Sequence, residues 1–500
     1  MSLLGIDVGT SGCKAAVFSQ DGQLLSSAYE EYETQRPQPG WAELDTLQVW
    51  EKIQRTIHTA VTYPGSGPVN ALCVSSLGEA VVPVSANRQI LGPSLLNFDS
   101  RGAEYLPALR AALPDEYLYQ LNGNTLGNHY SLTKLLWLKH HQPDLYHKTY
   151  CFLHWSGFVS YMLGAEPALD YSLANRTLMF DLASQDWSDE LLELVQLERT
   201  KLPRTFPAGT VIGVLAYPMA IKLGLNPGIP IVLGGHDQGC NGVGCGVIEP
   251  GQAMYGMGTY ICAMPVFNQR PASASMIAQG LSTEHHAMPG QFVSFIYNQG
   301  GALVKWFRDT FAAMERQQNP DMYPVLMAEM PVEPSCVLAL PHFTATGPPH
   351  FIADSCGVLI GLHLDTPRGE ILKGLLESAT FYLRECFEAM PEGIIISDFR
   401  AVGGGSKSDA WLQISADILG KPFIRPRVNE AGALGAAILA GSGSGVFASI
   451  QEGVKVMVIL ERTFTPDAMM QARYDERFEK YKGLWPVMSP FLTKTGNNFP

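Results

Sequence analysis

The apolar runs Leu3 to Val8 and Ala15 to Phe18 flank a polar, glycine-rich turn, a pattern that predicts a strand, a tight hairpin and a returning strand. A second turn at Asp21-Gly22 leads into a third strand from Gln23 to Tyr29. The pattern recurs at Ala253 to Tyr260, an apolar strand broken by Gly256, Gly258 and Thr259. Ile229 to Leu233 reads as a buried strand. Ala401-Val402 runs into Gly403-Gly404-Gly405-Ser406 and then into helical spacing from Trp411 to Leu419. Helical spacing also covers Leu132 to His141, Trp155 to Leu163 and the segment after Ala431. Asp467 to Trp485 predicts an amphipathic helix, Pro486 to Pro500 a loose polar end, and Gly441 to Gly445 a loop after a helix.

The turns carry the candidate chemistry. Asp7, Thr10, Ser11 and Lys14 stand among glycines in the first hairpin. Glycine lets backbone N–H groups approach phosphate oxygens, hydroxyls add donors, Lys14 adds positive charge, and an aspartate can hold a metal-bound water. On this segment alone, an ordinary glycine hairpin with a solvated aspartate fits equally well. The loop is neither a Walker loop nor a dinucleotide fingerprint, since it returns as a strand instead of opening a helix. A β-hairpin around phosphate is the pattern of the actin, hexokinase and sugar-kinase ATPases, which the segment resembles. Such folds require a second phosphate loop and an adenosine loop downstream. Gly258-Thr259 and Gly403 to Ser406 meet that demand, the latter offering a flat, side-chain-free surface at a helix N-terminus.

Between these loops the buried strand ends in Gly234-Gly235-His236-Asp237-Gln238. A carboxylate at a strand end among small residues leaves room for a substrate hydroxyl. Phosphoryl transfer to an alcohol needs a group to accept the hydroxyl proton. Asp237 fits that role; the alternative is an aspartate capping a helix that begins near Gly239.

With these elements in order, the whole chain resembles the FGGY family of carbohydrate kinases. The ordered motifs are Gly5 to Ser11, Gly40 to Asp45, Asn97-Phe98-Asp99-Ser100-Arg101, Lys134 to Leu138, Asp186-Trp187-Ser188, Gly235 to Gln238, Gly258-Thr259, Gly357 to Leu362, Gly403 to Ser406 and Ala431 to Ala437. His129, His140 and Gly374 depart from the residue types usual in the two signature segments. The resemblance implies an α/β fold of two ribonuclease-H-like (actin/hexokinase-type) domains, 1–246 for the sugar and 247–500 for the nucleotide. An interdomain active-site cleft is expected between them. It implies Asp237 as the catalytic base. Glu79, Asp99, His129, Asp237 and Gln238 become the expected substrate contacts, with Asp99 and Arg101 either touching the sugar or supporting residues that do. Asp7, Thr10, Ser11, Lys14, Gly258, Thr259, Gly300, Gly301, Gly404, Gly405, Ser406 and Asp409 become the nucleotide contacts. ATP is the implied phosphoryl donor, and Asp7 and Asp237 are the implied Mg²⁺ ligands.

The acceptor is read less sharply. Leu77-Gly78-Glu79 stands where xylulokinases usually show Met-His and glycerol kinases Arg-Glu. The closing segment, from Val304–Asp309 through Arg462-Thr463, looks similar to kinases of autoinducer sugars. The expected substrate is a pentulose such as xylulose, with glycerol, another polyol or an autoinducer-type sugar as the alternative. An actin- or chaperone-type ATPase without sugar transfer leaves Glu79, His129 and Gln238 unexplained. A non-catalytic sugar-binding relative leaves Asp237 unexplained.

Composition narrows the partners. The 500 residues, 46% of them hydrophobic, suffice for two large cores. A net charge of −13 argues against nucleic acid and anionic membranes, which would want a basic face. The nine cysteines are odd in number and scattered, without a Cys-x-x-Cys pair, so neither a disulfide framework nor a zinc site is expected. Cys240 and Cys245, near the proposed base, read as core packing sooner than as reactive thiols. The start Met-Ser-Leu-Leu-Gly has no signal-peptide pattern, and no apolar run approaches the ~20 residues of a membrane span, so the expected compartment is the cytoplasm. Homodimers are common among such relatives, and the sequence leaves that state open.

Overall fold

Leu4, Ile6 and Val8 face one side of the strand Ser2–Val8 and Leu3 the other, the period of two that an extended chain imposes; both sides are buried. The structure is a computed structural model and describes residues 1–348, 350–352, 356–427 and 430–495. This strand sits inside a six-stranded sheet ordered Val211–Val214, Pro230–His236, Val69–Ser76, Ser2–Val8, Gly12–Ser19, Leu24–Glu31. Helices Thr46–Thr62 and Trp155–Leu163 cover one face. Helices Asp237–Gly244 and Ala431–Gly443 cover the other. Ala431–Gly443 follows most strands of the second sheet in sequence, yet it packs on the first. Gly5 makes the approach possible: any Cβ there would strike the Ala433 carbonyl.

The second sheet runs Glu284–His285, Phe292–Val293, Tyr260–Phe267, Gln252–Met257, Asp398–Val402, Phe423–Pro426, Leu460–Phe464, with Ile296–Gln299 paired beside Tyr260–Phe267. Phe399 and Phe423 stack in its core at 4.8 Å, and Tyr255 packs edge-on to both at 5.6 and 5.0 Å. Helices Gly301–Phe311 and Arg368–Glu388 pack on them.

Strand direction positions the site. Ser2–Val8, Val69–Ser76 and Pro230–His236 are parallel, with Asp7 opposite Ser75 and Ser76 opposite His236. Asp7, the turn Leu77-Gly78-Glu79 and Asp237 therefore emerge at one edge. In the second sheet Gly256 lies opposite Val402 in a parallel pair, so Gly258-Thr259 and Gly403 to Ser406 emerge together. Carboxyl ends of parallel strands are where α/β sheets bind ligands.

Three local expectations change. The stretch Gly441 to Gly445 was expected as a loop, but the helix Ala431–Gly443 runs through its first half, where Phe447 packs closely over Gly441 and tertiary contact overrides propensity. The tail is helical over Leu484–Thr495: Pro486 falls in the first turn, where no N–H is required, and Leu492 is buried. Residues 496–500 lie outside the described residues. The helix expected near Gly239 begins two residues earlier, at Asp237. Among the described residues no helix is long and apolar enough to cross a membrane.

Candidate active site

The first hairpin is closed by the Gly9 N–H, which donates to the Gly12 carbonyl at 2.9 Å. Beneath it the buried Tyr32 hydroxyl donates to the Gly9 carbonyl at 2.6 Å and lies 3.0 Å from that of Gly12. Thr10 is half-buried and Ser11 exposed on the turn. Lys14, paired across the strands with Asp7, forms an ion pair with Glu430. Burial pushes the Asp7 carboxyl up to about 6, against the pull of Lys14. Its Oδ1 is buried and makes no hydrogen bond among the described residues.

Asp237 is the first residue of its helix. His236 holds the capping position and makes no side-chain cap, so capping does not account for the aspartate. Burial first, and then the charge of Asp7, push the Asp237 carboxyl up to about 7. His236 Nε2 lies 3.3 Å from Asp237 Oδ1, and its ring packs edge-on to Phe295 at 5.5 Å. Burial, with Arg176 and His154 nearby, holds His236 neutral. Gln238 follows in the first turn, half-buried. Asp7 and Asp237 are thus two hard oxygen donors without a local cation to balance them both. That fits Mg²⁺, which is commonly held by one or two carboxylates together with substrate phosphates and waters. No group of three His, Cys, Asp or Glu able to hold a metal alone occurs among the described residues.

Glu79 has a left-handed backbone, φ 59°, a conformation costly for a residue with a side chain. The turn aims its carboxylate at Arg176, whose Nε donates to Glu79 Oε1 at 2.6 Å and whose Nη2 also pairs with it. Arg176 closes the helix Tyr171–Asn175. Its Nη1 donates to Glu284 Oε1, 2.7 Å away, from the second sheet. His129 keeps solvent access, with its ring 3.9 Å from that of Tyr130. Desolvation first, then Arg176 and Lys134, hold it neutral. Asp99 is buried: Oδ2 accepts the Ala42 N–H at 2.5 Å, Arg101 donates to both its carboxylate oxygens, and its carbonyl accepts from Asn128, the neighbour of His129. Sequence reading did not single out Arg176, Glu284 or Tyr32. Each matters through a partner distant in the chain, and no local motif announces that.

On the second sheet, Gly258, Thr259, Gly301, Gly404, Gly405 and Asp409 line one cavity of about 1270 Å³, with Lys305, Trp306 and Tyr323 opposite. Gly403 makes the loop possible with φ 90°. The amides of Gly301 and Ala302 donate to the carbonyls of Gly258 and Thr259 at 2.9 and 3.0 Å, so this helix start anchors the hairpin. The Gly300 amide lies 3.2 Å from the Thr259 carbonyl, and the Ser406 hydroxyl turns back onto the Gly403 carbonyl at 2.7 Å; neither residue lines the cavity. Asp409 is held at the rim by Arg425 and Arg462.

Two family models match in tandem: the N-terminal domain of the FGGY family of carbohydrate kinases over residues 2–244, and its C-terminal domain over 253–444. The chain is 28% identical to the xylulose kinase of Escherichia coli strain K12, over 98% of this chain and 99% of the relative. It is 30% identical to the glycerol kinase of Bordetella parapertussis, over 96% and 97%. The crystal structure of xylulose kinase from Rhodospirillum rubrum superimposes with a TM-score of 0.87 at 24% identity, over 98% of this chain and 99% of that one. Two sheets, one bearing the cavity of about 1270 Å³ and the other the Asp237 carboxylate, in the two-domain actin/hexokinase-like architecture, agree with these matches. The chain belongs to the FGGY family of carbohydrate kinases and is a sugar-kinase phosphotransferase.

Proposed function

We propose that the chain transfers the γ-phosphate of ATP to a hydroxyl of a small sugar or polyol, a pentulose such as xylulose first, with Asp237 as the general base. The observation that carries this reading is the Asp237 carboxylate, pushed up to about 7 at the strand edge where Asp7 and Glu79 also emerge. A base with a pKa near the working pH combines the right protonation state with the strongest drive to take a proton. Asp237 accepts the hydroxyl proton, and the hydroxyls and amides of the Thr10-Ser11 and Gly258-Thr259 hairpins hold the phosphoryl oxygens. The glycine loop from Gly403 and the wall of Lys305, Trp306 and Tyr323 orient the nucleotide. Asp7, with Asp237 beside it, would hold Mg²⁺, which when bound supplies positive charge against the phosphate oxygens.

The test is ADP release from Mg²⁺-ATP over ketopentoses, polyols, glycerol, ketohexoses and autoinducer-type sugars, with Asp237→Asn alongside. Release with one class, cut by about two to four powers of ten in the variant, is the expected result. Release without any acceptor moves the reading to a general ATPase. Full turnover in a folded Asp237→Asn removes the base assignment.

A further inference from the structure

The wall beside Asp237 carries an unusual charge arrangement. Arg176 stands between two carboxylates, Glu79 of the first sheet's edge turn and Glu284 of the second sheet, bonded to both. Glu79 and Glu284 are almost fully buried, while the Arg176 side chain keeps 15% of its surface open. The guanidinium is also enclosed by aromatic rings, 5.4 Å from the Tyr130 centroid and 5.8 Å from that of Phe295. Phe295 in turn packs on His236, the neighbour of the base, so the triad and Asp237 belong to one contiguous cluster of side chains. Gly78 leaves that wall clear: a Cβ there would come within 3.2 Å of the His236 ring and 3.4 Å of Arg176.

A lone arginine in a sugar pocket would recruit a carboxylate or phosphate on the acceptor, since its planar fork matches such groups. Here the fork is already taken. Two carboxylates against one guanidinium leave a net negative charge. His154, buried behind the triad, adds no positive charge, because burial holds it neutral. An acidic acceptor would meet like charge and would have to displace a buried partner from Arg176. A neutral polyol needs only to offer hydroxyls, which donate to carboxylate oxygens.

Resting on the kinase reading above, we infer that Arg176, saturated by Glu79 and Glu284, makes the acceptor pocket selective for uncharged ketoses and polyols and excludes aldonic acids and sugars already phosphorylated. Selectivity of this kind comes from the repulsive element as much as from the attractive one.

The experiment compares kcat/KM for ketopentoses and pentitols with that for pentonates and pentose phosphates, in the full chain and in Glu284→Gln, which keeps the side-chain shape. Binding of each compound is measured calorimetrically to Asp237→Asn, which separates recognition from turnover. The expected result is a preference of ~100-fold or more for neutral acceptors in the wild type, narrowed about tenfold in Glu284→Gln by raised activity or binding of the acids. Pentonates or phosphates accepted as well as their neutral analogues overturn the inference and leave the kinase reading intact. An unchanged preference in folded Glu284→Gln also overturns it, by removing the triad as its cause. If neither class is bound or phosphorylated while ATP is hydrolysed alone, the inference and the kinase reading fall together.

Discussion

His236 sets its Nε2 3.3 Å from Oδ1 of Asp237. Because burial keeps the imidazole neutral, the contact is a close packing of the ring edge on the carboxylate and not an ion pair. A ring edge against Oδ1 limits the rotation of the carboxylate. We predict that His236→Phe, which retains a ring against Phe295 but loses the polar ring edge beside Oδ1, lowers kcat about tenfold and moves the acceptor KM by less than about threefold. Steady-state kinetics decide it; wild-type kcat in the variant would reduce His236 to packing.

The same desolvation that tunes the base should cost stability. Asp237 is raised from 3.8 to about 7, with Asp7, Glu79 and His236 facing it. Between those pH values the folded protein binds more protons than the unfolded chain, so stability falls as pH rises and the cost is complete above the folded pKa. Asp237→Asn removes that cost. Without nucleotide or metal, the variant should exceed the wild type by on the order of 1–3 kcal/mol at pH 8, the difference closing toward pH 4. Urea unfolding at both pH values is the measurement, and equal stabilities at pH 8 would show that the carboxylate is well solvated.

Tyr32 ties the phosphate hairpin to the body of the first sheet through the Gly9 carbonyl. Tyr32→Phe leaves that carbonyl without its donor and frees the turn carrying Thr10 and Ser11. The expected outcome is a loss of ~1 kcal/mol in stability and a several-fold rise in the KM for ATP, with the acceptor KM little changed. Equal rises in both constants would place the effect on the whole cleft and not on the hairpin.

These residues also mark how far the sequence could be read. The hairpins at Asp7–Lys14 and Gly258-Thr259, the glycine loop at Gly403 and the strand before Asp237 were legible because period-two burial and glycine turns are local. Arg176 was not legible: its partners lie 97 and 108 residues away, and only the fold brings them together. The helix Ala431–Gly443 was legible as a helix, but not its place on the first sheet, which depends on close backbone approach at Gly5. Gly441 and Pro486 misled for a related reason, since packing and position within a helical turn outweighed their usual breaking tendency.

Asp99 separates two roles that a motif alone cannot. Its carboxylate is fully buried, holds the Ala42 amide and pairs with Arg101, which also donates to Glu43 at 2.7 Å and stacks on Trp41 at 4.0 Å. Lys134 reinforces the same turn by donating to the carbonyls of Asp99 and Arg101 at 2.6 and 2.8 Å. These protein donors engage both carboxylate oxygens, and we predict that Asp99 braces the pocket wall. Asp99→Ala leaves the buried Ala42 N–H without its acceptor and Arg101 with Glu43 as its remaining carboxylate, and should cost about 1–3 kcal/mol. Asp99→Asn keeps the shape and should lose less, with kcat retained and the acceptor KM raised no more than about threefold. Glu79→Gln, in the acceptor wall itself, should raise that KM about tenfold or more. Stability and KM measured together distinguish the cases: a KM rise in Asp99→Asn as large as that in Glu79→Gln, with stability unchanged, would make Asp99 a direct contact after all.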